Sequence, residues 1–379
     1  MVPINILTKV RKRKQNEAGQ YEVASQWQLM WWKFKKHHMA RISLPIIVLM
    51  YLVAILCEFV APHGALDRFP EYSFAPPSRI RFVCEHDGFS IFPFVYNLEG
   101  RVDPTTHRRV YTEDTTQKFF VRFFVEGTPY TLMGIFPGNR RLFGLQGEGR
   151  PFFIMGTDRM GRCIFSRIVY GSRISLSFGF IAIFFTFIIG ITLGGLSGYL
   201  GGIVDNIVQR IIDVLRCMPT IPLWMALAAA MPRDWSAIRI YLGMVLVMSL
   251  IGWTDLGRMV RGKILSLREE DFTMAARLCN ASHGRILFRH LIPSFYSFII
   301  VSITISLPGA ILGETALSFL GLGLQAPVVS WGVLLQDAQN IDILAFYPWL
   351  MWPAAFVILI VLLFNFLGDG LRDAADPYT

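Results

Sequence analysis

The stretch ISLSFGFIAIFFTFIIGITLGG, residues 174–195, contains no charged side chain and is almost entirely apolar. A helix needs roughly 20 largely apolar residues to cross about 30 Å of hydrocarbon. Lipid offers the backbone amides no hydrogen-bond partner, so a segment of this length can span a membrane only as a helix. The stretch therefore predicts a transmembrane helix.

The rest of the chain fits the same class of protein. Of 379 residues, 53% are hydrophobic and 17% charged, and the mean hydropathy is +0.46. This composition is too apolar for an ordinary soluble domain. Further candidate spans lie at residues 43–61, 204–231, 239–256, 294–312 and 347–367. The prediction is an all-α polytopic membrane protein with six transmembrane helices.

Positive charge is distributed unevenly, and it predicts the orientation. Nine Lys and Arg residues precede the first span, and the loop after the fourth carries Arg258, Arg261, Lys263, Arg268, Arg277, Arg285 and Arg289. None occurs between Arg289 and Arg372. Because cytoplasmic loops are rich in Lys and Arg, we expect both termini, residues 1–42 and 369–379, to be cytoplasmic. The chain is then expected to be a multi-pass protein of the bacterial inner membrane. The net charge of +9 then indicates contact with membrane lipid and not with nucleic acid.

Residues 62–155 interrupt the apolar pattern between the first two spans. Short β-type runs, RIRFVCE (79–85), KFFVRFFVE (118–126), YTLMGIF (130–136) and PFFIMG (151–156), alternate with turn signals such as NLEG, EGTP and FPGN. The pattern predicts a small β-rich extracytoplasmic domain inserted between helices 1 and 2. One hypothesis is a platform for docking a binding protein or partner permease, and the other is a lid or spacer.

The segment DFTMAARLCNASHGRILFRHLIP, residues 271–293, lies in the predicted cytoplasmic loop after the fourth span. Its first part predicts a helix with Phe272, Ala275, Ala276 and Cys279 on one face. Asn280 tolerates the left-handed conformation that ends many helices. A second short helix follows up to Pro293. Two helices joined by a sharp turn suit a groove on another protein, and the alternative is an amphipathic loop on anionic headgroups.

This segment resembles the cytoplasmic coupling loop of binding-protein-dependent ABC importer permeases. The family pattern is EAA, three residues, Gly, nine residues, then I-x-L-P. Here Met274, Ala275 and Ala276 stand at the EAA position, Asn280 at the glycine, and HLIP, residues 290–293, at the end. The acidic residue and the glycine of the pattern are thus replaced.

Further stretches are similar to the C-type permease of the dipeptide/oligopeptide subfamily. They are GTDRMGRCIFSRIVYGSRISL (156–176), GYLGGIVDNIVQRIIDVLRCMPT (198–220), ETALSFLGLGLQAPVVSWG (314–332) and LGDGLRDAADP (367–377). The resemblance implies the type I ABC importer permease fold, with a permease core at 156–368 and a coupling loop at 263–293. The residues it places at the ATPase contact are Asp271, Phe272, Met274, Ala275, Ala276, Asn280, Arg285, Arg289, His290 and Pro293.

The resemblance also implies partners. They are a homologous B-type permease, two ABC ATPase subunits and an extracytoplasmic substrate-binding protein. ATP and Mg would be used by the ATPases, so this chain is expected to bind no cofactor or metal directly and to be no enzyme. Relatives of this kind carry peptides, and some similar permeases carry oligosaccharides or opine-like compounds. The substrate class therefore has an open alternative.

Other functional classes find less support in the sequence. GRMVRGKI, residues 257–264, nearly matches the phosphate-binding loop G-x-x-x-x-G-K-[ST], but Ile264 lacks the hydroxyl that binds magnesium, and no strand precedes it. Many secondary transporters are built from internal inverted repeats, and no such repeat is evident in this sequence. A membrane enzyme would need clustered catalytic residues, which the sequence does not suggest.

Three charged residues in or next to the predicted spans are candidates for a role in translocation. Asp213 and Arg216 are three residues apart in the third span, a spacing that favours a helix-surface ion pair. Glu314 lies at the outer end of the fifth span. Intramembrane charges are often functional, so each could line the translocation path or stabilise the fold.

Overall fold

The structure, a computed structural model, describes residues 26–84, 88–105, 107–145, 151–232 and 234–375. Within these ranges five helices are long and apolar enough to cross a membrane. They are span 1 (His38–Ile55), span 2 (Ile164–Leu200), span 4 (Ala237–Leu267), span 5 (Tyr296–Phe319) and span 6 (Pro348–Ala375). The predicted basic segment up to residue 25 and the last residues of the tail, 376–379, lie outside the described residues.

The third predicted span is not one straight helix. It forms two helices, Gly202–Cys217 and Thr220–Ala229, bent by 89° at the break, and we call them the first and second halves of span 3. Met218 is extended, with φ −92° and ψ 139°, as expected for a residue that precedes a proline. Pro219 therefore breaks the predicted helix 204–231. The prediction of six continuous spans is corrected to five continuous helices and one bent pair in the described residues.

The helices extend beyond the apolar runs that predicted them. Span 2 has 37 residues, since helical hydrogen bonding continues past the hydrocarbon-length run. Span 1 begins five residues earlier than predicted and ends at Ile55, followed by the short helix Cys57–Val60. The remaining described helical pieces are Gln26–Lys36, Pro70–Tyr72, Asp271–Leu278, His283–Arg285, Ile286–Leu291, Ile292–Ser294, Trp331–Leu335, Gln336–Gln339, Ile341–Phe346 and Pro348–Met351, which opens span 6.

Spans 2 and 4 approach each other at glycines. A Cβ on Gly194 would lie 2.3 Å from the carbonyl oxygen of Gly257, and one on Gly198 would lie 2.8 Å from that of Arg261. Small residues allow such backbone contact between membrane helices. The C-terminal half of span 4 is thereby packed directly on span 2. It leads into residues 271–293, which we call the coupling segment after the loop that they resemble.

A four-stranded antiparallel sheet lies between spans 1 and 2 in the chain. Its order is β1 (Arg81–Cys84), β2 (Gly88–Val102), β3 (Arg109–Leu132) and β4 (Phe136–Leu145). β1 covers residues 81–84 of the predicted run 79–85, whose last residue lies outside the described residues. The run 118–126 lies within β3, as predicted.

Other details of the strand prediction were wrong. The run 130–136 forms the β3–β4 hairpin, with Met133 and Gly134 at φ 51° and 73°, and residues 151–156 form no strand. The predicted turns NLEG, EGTP and FPGN lie inside strands. EGTP coincides with a register shift between Glu126 and Tyr130, because a bulge accommodates Gly and Pro that would otherwise end the strand.

Arg141 fixes the sheet to the short helix Cys57–Val60, which follows span 1. Its Nη1 donates to the carbonyl oxygens of Glu58 and Ala61, at 3.0 and 2.9 Å, and its Nη2 to Thr128 Oγ1 at 2.9 Å. The rings of Phe143, on β4, and Phe165, in the first turn of span 2, lie 5.7 Å apart. The sheet therefore packs where span 1 ends and span 2 begins.

Candidate functional site

The coupling segment begins as a short helix, Asp271–Leu278, directly after span 4. We call it the coupling helix. Thr273 is fully buried, and its hydroxyl donates to the carbonyl oxygen of Leu267 at 2.9 Å. This bond ties the first turn of the coupling helix to the last turn of span 4, so the two helices keep a fixed angle.

A hydrogen-bonded turn closes the coupling helix. Asn280 has a φ of 55°, and its N–H donates to the carbonyl oxygen of Arg277 at 2.9 Å. The N–H of Ala281 donates to the carbonyl oxygen of Ala276 at 3.1 Å. These two bonds define a Schellman motif. The predicted left-handed conformation of Asn280 is confirmed.

The second arm of the segment packs on the end of span 2. Ser282 accepts a hydrogen bond from the N–H of Arg285 at 3.4 Å and caps the arm. The helix then widens into a π-helical stretch, Ile286–Leu291, with Ile286, Leu287 and Leu291 buried. Leu287 packs at Gly195, where a Cβ would lie 3.3 Å from its Cδ1. The predicted second helix is present, and it is anchored by leucines and not by its arginines.

Tyr199 is a contact that sequence reasoning missed. Its hydroxyl lies 3.2 Å from Nδ1 of His283, and the guanidinium of Arg277 lies 5.5 Å from its ring. Tyr199 thus contacts both arms of the coupling segment from the end of span 2. The stretch 198–220 was recognised as similar to the family, but nothing in its local pattern pointed to the coupling segment.

The outer surface of the coupling helix is apolar. Phe272, Met274 and Leu278 are 42%, 49% and 88% exposed, and Ala275 and Cys279 are exposed beside them. Ala276, expected on the same face, is half-buried and packs against the core of its own bundle. The Schellman turn and the burial of Thr273 determine how the coupling helix is rotated, and so they turn the Ala276 side chain inward. Helical spacing alone does not reveal this rotation.

The polar residues of the segment divide between the two environments. Asp271, Arg285 and Arg289 are exposed, whereas His290 and Pro293 are half-buried where the arm enters the bundle. Exposed charged residues thus lie on the same segment as the exposed apolar side chains, a combination that occurs in protein-binding surfaces.

Ion pairs join the first half of span 3 to span 4. Both Arg261 nitrogens Nε and Nη2 donate to Asp205 at 2.5 Å. Arg258 donates to Asp213 at 2.7 Å, and Arg216 pairs with Asp255. The predicted pair between Asp213 and Arg216 is therefore wrong. Each charge finds its partner on the neighbouring helix because tertiary packing brings those groups closer.

Glu314 lies in a packed polar cluster. It is fully buried, and it accepts hydrogen bonds from the hydroxyls of Ser175 and Ser318 at 3.1 and 2.9 Å. Ser175 in turn accepts from the N–H of Trp331 at 3.1 Å. The cluster joins spans 2 and 5 to the segment that follows span 5. This environment favours the structural role that the sequence left open.

Two cavities lie in the described part of the molecule near charged residues. One of about 250 Å³ is bordered by Thr186, Trp224, Asp255 and Ser306, from spans 2 to 5. A larger one of about 660 Å³ separates the sheet from the segment after span 1 and is bordered by His63 and Asp67 among others. The first lies between the spans, as a substrate passage would.

The P-loop-like residues 257–264 are helical and lie within span 4. Their backbone amides are occupied in the helix and cannot surround a phosphate as a glycine-rich loop does. This local pattern therefore has no role in nucleotide binding.

The family of binding-protein-dependent transport system inner membrane components matches residues 190–379. The chain belongs to this family. Residues 25–77 match the N-terminal transmembrane domain of oligopeptide transport permease C. The C-type permease resemblance of the dipeptide/oligopeptide subfamily is thereby confirmed.

Curated relatives agree with this family. The dipeptide transport system permease protein DppC of Alkalihalophilus pseudofirmus is 42% identical over 64% of this chain and 75% of its own length. The oligopeptide transport system permease protein OppC of Bacillus subtilis is 38% identical over 59% of this chain and 70% of its own length. The oligopeptide transport system permease protein OppC of Haemophilus influenzae is 37% identical over 69% of this chain and 79% of its own length. A solved inward-facing structure of the MetNI methionine ABC transporter is similar over 56% of this chain and 97% of its own, with 19% identity and a TM-score of 0.43.

Proposed function

We propose that this chain is the C-type permease subunit of an ATP-driven importer of peptides. It forms the translocation path with a homologous B-type permease. Two ABC ATPase subunits bind its coupling segment, and an extracytoplasmic binding protein delivers the substrate. ATP and Mg are handled by the ATPases, and this chain acts as a non-catalytic subunit. The peptide and dipeptide names of its relatives support the substrate class.

The apolar surface of the coupling helix carries the proposal. Phe272, Met274 and Leu278 are exposed on the coupling helix. This helix is fixed to span 4 at its first turn, and the second arm of the coupling segment, which follows it, is fixed to span 2. Such a helix can transmit a rotation of its partner into the bundle, which a flexible linker cannot do. Closure of the ATPases on ATP would move the coupling helix, and spans 2 and 4 would follow it from inward-open to outward-open.

The positions of the sheet and the coupling segment support the proposed orientation. The sheet contacts span 2 at Phe165, in its first turn, and the coupling segment contacts it at Gly195 and Tyr199, near its last. The two therefore lie at opposite ends of span 2. With the coupling segment and both termini in the cytoplasm, the sheet is a β-rich extracytoplasmic domain. There it is available as a docking platform for the binding protein.

Reconstitution tests this function. Proteoliposomes with both permeases, the ATPases and the binding protein should accumulate labelled peptide only with ATP, and the binding protein should be found loaded with peptide. Binding protein loaded with an oligosaccharide or an opine-like compound would replace the peptide assignment by the alternative. Uptake by this chain alone, driven by a proton or sodium gradient, would contradict the importer itself and indicate a secondary transporter.

A further inference from the structure

A second surface lies at the same end of the bundle as the coupling segment. The helix Gln26–Lys36, QWQLMWWKFKK, precedes span 1. Its Met30 and Phe34 are buried, and Met30 Sδ lies 3.2 Å from Ser297 Oγ, four residues after Pro293. The helix therefore packs beside the point where the coupling segment enters span 5.

The last turns of span 6 contact the same helix and also the start of span 1 that follows it. A Cβ on Gly370 would lie 2.2 Å from the Ala40 Cβ and 3.3 Å from the His37 ring. His37 Nε2 lies 3.8 Å from Asp373. This contact with spans 5 and 6 determines which face of the helix is covered and which remains outside.

The outer face combines tryptophan with positive charge. Trp31 is 49% exposed, and Lys35 Nζ lies 5.2 Å from its ring centroid. Lys36 and Arg41, which follow in the chain, are exposed as well. We call Trp31, Lys35, Lys36 and Arg41 the basic shelf. The sequence has no acidic residue from position 26 to 57, and Asp373 approaches this region through His37.

The shelf is continuous with the lipid-facing side of span 1. Ile42, Leu49 and Leu52 are 56%, 59% and 49% exposed along the span that starts at the shelf. Apolar side chains that enter hydrocarbon directly beside Trp, Lys and Arg mark the depth of lipid headgroups. An acidic protein partner would match the charge but would not explain this continuity with the acyl-chain surface.

We propose that the basic shelf binds anionic phospholipid headgroups. The phosphodiester and glycerol of phosphatidylglycerol would accept hydrogen bonds from Lys35, Lys36 and Arg41, while Trp31 lies among the headgroups. Basic residues next to a membrane surface attract anionic lipid in this way. The bound lipid holds the helix Gln26–Lys36 against the start of span 5, and it thereby stabilises the second arm of the coupling segment.

Lipid binding can be measured without transport. Native mass spectrometry of the purified subunit, titrated with phosphatidylglycerol or phosphatidylcholine, should show a preference for phosphatidylglycerol. The triple variant Lys35→Gln, Lys36→Gln, Arg41→Gln should lose about tenfold in affinity for phosphatidylglycerol and keep its affinity for phosphatidylcholine. Salt should weaken the wild-type preference because exposed charges are screened.

A matched control removes the same charge from the opposite end. Arg101, Arg122 and Arg140 are exposed on the sheet, and their triple replacement by Gln should leave the phosphatidylglycerol preference unchanged. Should the triple shelf variant fail to insert, the single change Lys36→Glu gives the same test, with a smaller loss expected. A shelf variant with wild-type preference, or a sheet variant that loses as much, would overturn the proposal.

The assembled importer provides the second readout. In nanodiscs with photoreactive phosphatidylglycerol, adducts should map to residues 26–41, and ATPase activity should rise with phosphatidylglycerol in the wild type more than in the shelf variant. Adducts confined to other regions, with the second permease covering residues 26–41, would show a protein interface instead. Because binding is measured on the subunit, it can succeed or fail independently of the proposed peptide transport.

Discussion

The N–H of Ala281 donates to the carbonyl oxygen of Ala276, five residues earlier, at 3.1 Å. This bond reverses the chain after the coupling helix, so that the leucines of the second arm reach span 2. Together with the bond from Thr273 to Leu267, it fixes the coupling helix at both ends. The segment therefore has the rigidity that a transmission element requires.

The left-handed backbone of Asn280 is expected to be sensitive to substitution. Asn280→Ala should destabilise the turn by about 1 kcal/mol, because a Cβ without a local hydrogen bond disfavours positive φ. Asn280→Gly should be tolerated, since glycine adopts this conformation freely. Peptide uptake per ATP hydrolysed, measured in proteoliposomes, should fall in the alanine variant and be normal in the glycine variant. Equal values for both would show that the turn does not determine coupling.

The exposed surface of the coupling helix gives a second prediction. Ala275→Arg should reduce uptake about tenfold or more, equivalent to about 1.4 kcal/mol of docking free energy, because a long cation would separate Phe272 and Leu278 from their partner. Membrane insertion should be unchanged. Ala237→Arg, an exposed position at the opposite end of span 4, is the matched control. Co-purification of the ATPases measures the loss, and normal co-purification with Ala275→Arg would contradict the docking surface.

The pair between Asp205 and Arg261 should contribute to the rigidity of the C-terminal half of span 4. Both residues are partly exposed, so we expect a coupling energy of about 1 kcal/mol in a double-mutant cycle with Asp205→Asn and Arg261→Gln. Thermal unfolding in detergent measures it. The same cycle on Asp213 and Arg216, which do not pair with each other, should give a coupling energy near zero.

Glu314 is predicted to act through its hydrogen bonds. Glu314→Gln keeps an oxygen that accepts from one of the Ser175 and Ser318 hydroxyls and gains an N–H that can donate to the other, so it should retain both stability and uptake. Glu314→Leu leaves these two buried hydroxyls without their acceptor and should destabilise the protein by about 2 kcal/mol. Thermal unfolding separates the variants. Loss of uptake in a stable Glu314→Gln protein would instead indicate a role in the translocation path.

His63 predicts a pH dependence at the sheet. Burial lowers the pKa of His63 from 6.5 to about 4, with the nearby Arg141 lowering it further and Asp67 opposing this. Its Nε2 accepts a hydrogen bond from the N–H of Phe152 at 3.0 Å, which requires the neutral ring.

The unfolded chain therefore binds the proton more readily than the folded one. The contribution of neutral His63 to the free energy of unfolding is complete above pH 6.5. It is lost as the pH falls towards 4, by at most about 1.4 kcal/mol per pH unit. Hydrogen exchange of the strands between pH 7 and pH 5 should detect the loss. His63→Gln keeps a hydrogen-bond acceptor that does not titrate, so it should remove the part of the pH dependence that is due to His63. The same pH dependence of exchange in the variant and the wild type would refute the role of His63.

Local features of the sequence predicted much of this molecule. The apolar runs located the spans, and Asn280 located the turn of the coupling segment. The break at Pro219 was missed although proline is a strong local signal, because the hydrophobic run continues across it. The turn signals in β2 to β4 also failed, since a long hairpin with a bulge tolerates Gly and Pro inside its strands.

The sequence by itself determined that the chain spans a membrane and carries a two-armed coupling segment, because helix length, hydrophobicity and the left-handed turn depend on neighbouring residues. Only the tertiary structure decided that Ala276 faces inward, that Asp213 and Arg216 pair with span 4, and that Tyr199 contacts both arms. These outcomes depend on side chains far apart in the chain, whose pairing energies exist only once packing has brought them within a few ångströms.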